Sequence, residues 1–359
     1  YDDAGNRSTI INALGQTHVL CHNENHQVVS VRDPKGRLWQ WSYDEKNRLS
    51  GSENPMGASW KYHYDDAGRL VRLVNPSGSQ QTFGYRSDGT LARHGDGAGH
   101  ATALEHEVFG RLTQRIDPMG HVTRYAYDAT GNLLEVHRPD GGVARAEYDA
   151  GGNMTHYTDE SGRERFFEYG PCQRMVTSID GNGHATRYEW DTEPDRLTGV
   201  INPKGERHSY RYDLAGRPVE EVFFGGRRRR YMLDANGATI RVINAMDETV
   251  SVTRDALGRI VGQTLPDGGV YRFIYDNAGD MELAVSPDCQ VSFERDLVGG
   301  LVRETQTSSD AEHWIAYARD INGQVIGLRT DLGLKLTYEL DQNGRWSALD
   351  MAGVGRLAF

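Results

Sequence analysis

Between Ala58 and Gly78, large aromatic and polar residues alternate: Trp60, Tyr62 and Tyr64 fall between Lys61, His63 and Asp65. A period of two describes an extended segment with one aromatic and one polar face, so the pattern predicts a half-buried strand. Asp65-Asp66-Ala67-Gly68 then predicts a turn, because Asp bonds its own backbone and Gly accepts positive φ. Arg69 to Val74 returns as a second strand, and Asn75-Pro76-Ser77-Gly78 turns again.

The pattern repeats every 21 residues as Y-D-x-x-G-R-L. Motif tyrosines stand at Tyr1, Tyr43, Tyr64, Tyr85, Tyr127, Tyr148, Tyr169, Tyr212 and Tyr275, and turn glycines at Gly68, Gly131, Gly216 and Gly279. Degenerate copies begin at His22, His106, Trp190, Leu233, Arg254, Arg295, Arg319 and Leu340, so about seventeen units cover the chain. A second turn falls midway in the unit, as in Asp33-Pro34-Lys35-Gly36, Asn54-Pro55-Met56-Gly57 and Asn202-Pro203-Lys204-Gly205. Two turns per unit imply two strands. Two residues before each motif start, Trp41, Tyr62, Phe83, Tyr125, Tyr188, Tyr210 and Tyr231 hold the aromatic phase, while Leu49, Leu70, Leu91, Leu112 and Leu133 recur on the return strand. The expected fold is all-β: a repeat array of about seventeen two-strand units in a curved, spiral β-sheet ribbon, with the aromatic stripe covered by neighbouring strands.

A uniform repeat makes one continuous array over 1–359 the expected organisation, instead of the two or three domains that 359 residues would otherwise suggest. The chain opens at Tyr1 inside a repeat, as an internal fragment of a larger protein would. Its net charge of -11 opposes general nucleic-acid binding, and no apolar run is long enough for a membrane span. Cys21, Cys172 and Cys289 are odd in number and widely spaced, which suggests neither a disulfide framework nor a zinc site.

No chemistry-bearing motif survives comparison with the repeat. Glu105-His106-Glu107 lacks the second histidine of a zinc-binding helix, and His106 occupies a motif tyrosine position. His18, His22, His26, His94 and His100 match no metal-ligand spacing. The four-residue acidic turns at Asp2-Asp3 and Asp65-Asp66 supply too few oxygens for calcium. Gly95-Asp96-Gly97-Ala98-Gly99 has neither the spacing nor the helix of a phosphate loop. Arg227 to Arg230 alternate faces on a strand and are offset by Glu220 and Glu221. No catalytic residue, cofactor or metal site is expected.

The copies Tyr64 to Leu70 and Tyr212 to Pro218, in register with more than a dozen others, resemble the RHS/YD-repeat family, whose members include Rhs polymorphic toxins, toxin-complex C components, wall-associated proteins and teneurins. The resemblance implies a hollow shell enclosing a covalently linked C-terminal toxin as cargo. It further implies synthesis in a bacterial cytoplasm and delivery through secretion apparatus components such as a type VI system. The family's C-terminal D-P-x-G-L cleavage motif is absent from the sequence; Asp33-Pro34 and Asp117-Pro118 share their phase with Asn-Pro turns and read as turns. The expected role is a non-enzymatic encapsulating wall segment. The alternative is a cell-surface YD-repeat adhesin that binds glycan or a partner protein.

Overall fold

The computed structural model describes residues 1–191 and 196–359. Among them are 34 strands and one 3-10 turn, Pro171–Gln173. The strands follow each other as a meander in one antiparallel, unclosed sheet. Most repeats contribute a six-residue strand such as Ser59–Tyr64 and a five-residue return strand such as Leu70–Val74. The end strands, Thr9–Ile11 and Gly355–Ala358, each pair on one side, with Thr17–His22 and Trp346–Met351 respectively.

Both turn types close in the same way. Gly68 N donates to Asp65 O at 3.0 Å and Asp65 N to Arg69 O at 3.0 Å; at the midway turn Gly57 N donates to Asn54 O at 2.9 Å and Asn54 N to Ala58 O at 3.0 Å. This is a three-residue hairpin loop whose last residue is left-handed. Glycine meets that requirement at Gly68, with φ +83°, where any Cβ would be strained.

Pairing within each repeat contains an irregularity that alternation does not reveal. His63 lies opposite Arg72 but Tyr64 lies opposite Leu70, leaving Val71 as an extra residue on the return strand. The same slip precedes Tyr43, Tyr127, Tyr148, Tyr169, Tyr212 and Tyr275. A bulge of this kind increases right-handed twist and bends the strand. Repeated once per unit, it gives the ribbon a regular source of curvature.

Strands pack on their chain neighbours, so the sheet has a single layer. The expected covering of the aromatic stripe is therefore incomplete. Among the described residues the only hydrophobic side chains classed as buried are Ala58, Ala144, Ala146 and Ala348; none of the large side chains is fully enclosed. The accessible surface is 22185 Å² for 40.1 kDa, against roughly 14,000 Å² for a compact monomer of that mass. Stability must come mainly from the hydrogen-bonded ladder and from half-buried side-chain rows.

Contacts divide the chain into two compact units. The first comprises Tyr1–Gly84, Arg93–Ala101 and Thr253–Phe359; the second comprises Tyr85–Ala92 and Thr102–Val252. Both are built from the same repeat.

Candidate functional site

The motif residues form a staple between consecutive repeats. Tyr64 ends its strand with the hydroxyl reaching back across the ribbon, where it donates to Leu49 O of the preceding repeat at 2.8 Å. Tyr43, Tyr127, Tyr148, Tyr212 and Tyr275 make the same bond to the carbonyl fifteen residues earlier, at 2.7 to 3.0 Å. Trp190, in a degenerate copy, substitutes its indole: Nε1 donates to Met175 O at 2.8 Å. Burial pushes the hydroxyls of Tyr64, Tyr127, Tyr148, Tyr169 and Tyr212 above the usual tyrosine range.

The motif arginine completes the staple from the other side. Arg48 Nε bonds Asp44 Oδ2 at 2.8 Å, its Nη1 donates to Asp65 O of the next repeat at 3.0 Å, and its guanidinium lies 4.7 Å from the centre of the Tyr64 ring. Arg111 repeats the arrangement with Asp128 O and Tyr127, and Arg174 with Asp191 O and Trp190. The turn carboxylates also accept backbone N–H bonds, as Asp65 Oδ1 does from Arg69 N at 2.9 Å. These bonds hold several turn acids below the usual carboxylate range: Asp44 through the Arg48 side chain, Asp65 through Arg69 N and Asp128 through the Thr130 hydroxyl.

Among the motif tyrosines, Tyr1 enters no staple. Tyr1 is 85% exposed and has no strand before it. Tyr85 and Tyr169 end Gln80–Tyr85 and Glu164–Tyr169 at the same place in the repeat. Gly131, Gly216 and Gly279 sit in the left-handed region at φ +104°, +78° and +92°. The sequence marks the turn acids and tyrosines but not their bonds to the neighbouring repeat; the arginine that recurs at Arg48, Arg69, Arg111, Arg174, Arg217 and Arg259 was the available signal.

Within the first compact unit, turns far apart in the chain meet. Lys35 Nζ bonds Asp276 Oδ2 at 2.7 Å, and Arg37 bonds both Asp33 and Asp280, the latter at 3.2 Å. Further along, Ser79 Oγ donates to Gln342 O at 2.9 Å and Asn343 Nδ2 to Asp96 Oδ2 at 2.8 Å. In each case a midway turn, or the residue just after it, meets a YD turn about 240 to 260 residues later. A cleft of about 1160 Å³ opens along this seam, bordered by Trp60, Asn75, Arg93, Asp320, Asn322 and Arg345. Among the described residues no group of three or more His, Cys, Asp or Glu is placed to hold a metal ion, and no helix is long and apolar enough to cross a membrane.

A two-strand unit stapled to its neighbours defines a tandem-repeat β-ribbon, a class of protein in which the recurring motif builds the wall. Four segments, residues 22–53, 46–80, 106–143 and 254–288, match the RHS Repeat family. The chain thus carries RHS repeats and resembles the RHS/YD-repeat family. It is 27% identical over 246 residues to Double-stranded DNA deaminase toxin A of Burkholderia cenocepacia (strain H111), a match covering 52% of this chain and 17% of that protein. Its fold is similar to the crystal structure of TcdB2-TccC3, with a TM-score of 0.78 and 15% identity over 94% of this chain and 22% of the other. A structure of TcdB2-TccC3 without its hypervariable C-terminal region gives a TM-score of 0.73 at 15% identity, covering 96% and 22%. The chain thus spans about a fifth of the length of these relatives.

Proposed function

We propose that the chain is a wall segment of an Rhs-type shell, one continuous YD-repeat array that sequesters a covalently linked C-terminal toxin for delivery to a target cell. The observation that carries this reading is the repeat-to-repeat staple. A wall enclosing a cargo of any sequence needs cohesion along itself and no specific bond to its contents. Here the Tyr hydroxyl reaches back to the preceding repeat, the Arg guanidinium reaches forward to the next, and the strand ladder joins both. The similarity in fold to TcdB2-TccC3 and in sequence to a deaminase toxin supports the same role. Under this reading the segment is not an enzyme, and any self-cleavage or toxin activity belongs to other parts of the protein. Synthesis in a bacterial cytoplasm and export through a secretion apparatus complete the proposal.

The test is limited proteolysis of the full-length protein containing this chain. The toxin region is expected to resist protease while the wall is intact and to be digested once the wall is opened by denaturant. A toxin region digested at the same rate with and without an intact wall would refute encapsulation.

A further inference from the structure

The two ends of the seam share an offset. The Asp33–Gly36 turn belongs to the second repeat, from His22, and meets the YD turn of the fourteenth, from Tyr275; the Asp96–Gly99 turn belongs to the fifth, from Tyr85, and meets the YD turn of the seventeenth, from Leu340. Both contacts join repeats twelve apart, and both place a midway turn against a YD turn.

The sequence at the first contact departs from the template on both sides. Where the template has arginine after the YD-turn glycine, the other repeats carry Arg, Asn, Gln, Thr, Ala or Gly; the repeat from Tyr275 alone carries an acid, Asp280. An arginine there would pair within its own turn, as Arg48 does with Asp44 and Arg259 with Asp255. Instead Asp276 and Asp280 present two carboxylates to the opposite arc. Facing them is the one midway turn with lysine in its third place and arginine after its glycine, Asp33-Pro34-Lys35-Gly36-Arg37. Arg37 is only 11% exposed and is held from both sides by Asp33 and Asp280.

We propose that Lys35 and Arg37 with Asp276 and Asp280 form a charge-coded register lock, which selects the fourteenth repeat as the stacking partner of the second. Every repeat offers nearly the same backbone edge, so the ladder itself does not distinguish one offset from another. The charges do. A slip of one repeat toward the N-terminus would bring Arg259 to the place of Asp280, setting two guanidiniums against each other. A slip the other way would bring Gly300 there, leaving Arg37 without its second carboxylate. In either direction a nearly buried cation loses a partner, and uncompensated charge is costly at a site removed from water. The inference concerns how the wall is registered and does not depend on what the wall contains.

The experiment reads the register at the far end of the seam. In a chain carrying Cys21→Ser, Cys172→Ser and Cys289→Ser, Ser79→Cys and Gln342→Cys are bridged with a short bis-maleimide, and the bridged peptide pair is measured by mass spectrometry. Asp280→Arg is expected to lower the bridged yield on the order of tenfold, the size of a coupling between contacting groups. Adding Arg37→Asp to it is expected to restore most of the yield. Asn153→Arg, which restores the template residue in a repeat away from the seam, should change nothing. Far-UV circular dichroism checks that each variant keeps its β signal, and Asp280→Asn provides a milder variant if the reversal unfolds the chain. An unchanged yield in Asp280→Arg, or in Asp280→Asn if the reversal unfolds, overturns the lock. A loss that Arg37→Asp does not repair overturns the charge code and leaves shape as the determinant.

Discussion

The two rims of the ribbon are made of turns with the same backbone geometry and different side-chain reach. On the YD rim, Arg48 and Tyr64 both bond across to the adjacent repeat. On the other rim, Asn54 Oδ1 accepts from Met56 N and Ala58 N, each at 3.0 Å, within its own turn. The exposed Arg138–Glu160 pair is an exception that does link neighbouring turns there. The contrast shows how a repeat divides its tasks: the YD rim holds consecutive units together and also enters the seam at Asp276 and Asp280, whereas the midway turn Asp33–Gly36 keeps most of its bonds local and adds the distant contact.

Acid should separate the Asp-capped YD turns from the Asn-capped turns of the other rim. Asp44, Asp65, Asp128 and Asp213 are held below the usual carboxylate range in the folded chain. Their stabilisation is therefore fully present above the unfolded value, about 3.9, and is lost as pH falls through the lower folded values. The Asn-capped turns at Asn54, Asn75, Asn202 and Asn244 have no such titration at the cap. Hydrogen exchange across a pH series should show YD turns opening before these; simultaneous opening would contradict the division.

Single substitutions sharpen the comparison. Arg48→Ala removes the Asp44 pair, the Asp65 carbonyl bond and the packing on Tyr64, and should cost about 2 kcal/mol. Faster exchange is expected in both joined repeats. Tyr64→Phe deletes one donor to Leu49 O and should cost about 1 kcal/mol, again felt on both sides. Asn54→Ala removes two local bonds at a cost of about 1 kcal/mol, with exchange faster in its own turn alone. Arg138→Ala, at an exposed pair, should have the smallest effect on stability of the four. Chemical denaturation gives the totals and exchange gives the location. If Asn54→Ala loosened the next repeat as far as Arg48→Ala does, the rims would not differ as described.

Strands and turns were legible because their signals are local. Alternation at Trp60, Tyr62 and Tyr64 marks the face, and Gly68 marks the left-handed position. The Arg227 to Arg230 run was also readable: Arg229 lies opposite Glu221 and Arg230 opposite Glu220. The bulge at Val71 was not, because an extra residue is defined only once two strands are aligned. Coverage of the aromatic face was overestimated, since alternation reports which side is apolar and not whether a second layer exists. The Tyr64 to Leu49 bond and the Arg37 to Asp280 pair depend on neighbouring and distant repeats, respectively. For the second pair a trace did exist in Asp280, an acid in a column otherwise free of acids.

The thin sheet also has a calorimetric consequence. The heat-capacity increase on unfolding follows the apolar surface newly hydrated, about 12 to 15 cal/mol/K per residue in ordinary domains. A chain whose large side chains are already half wet in the native state has less left to expose. Its increment per residue should fall below that range, and its free energy should vary with temperature along a shallower dome. Such a ribbon would change little in strength between cold and warm surroundings, because the part of its cohesion that fades on cooling, the hydrophobic part, is small from the outset.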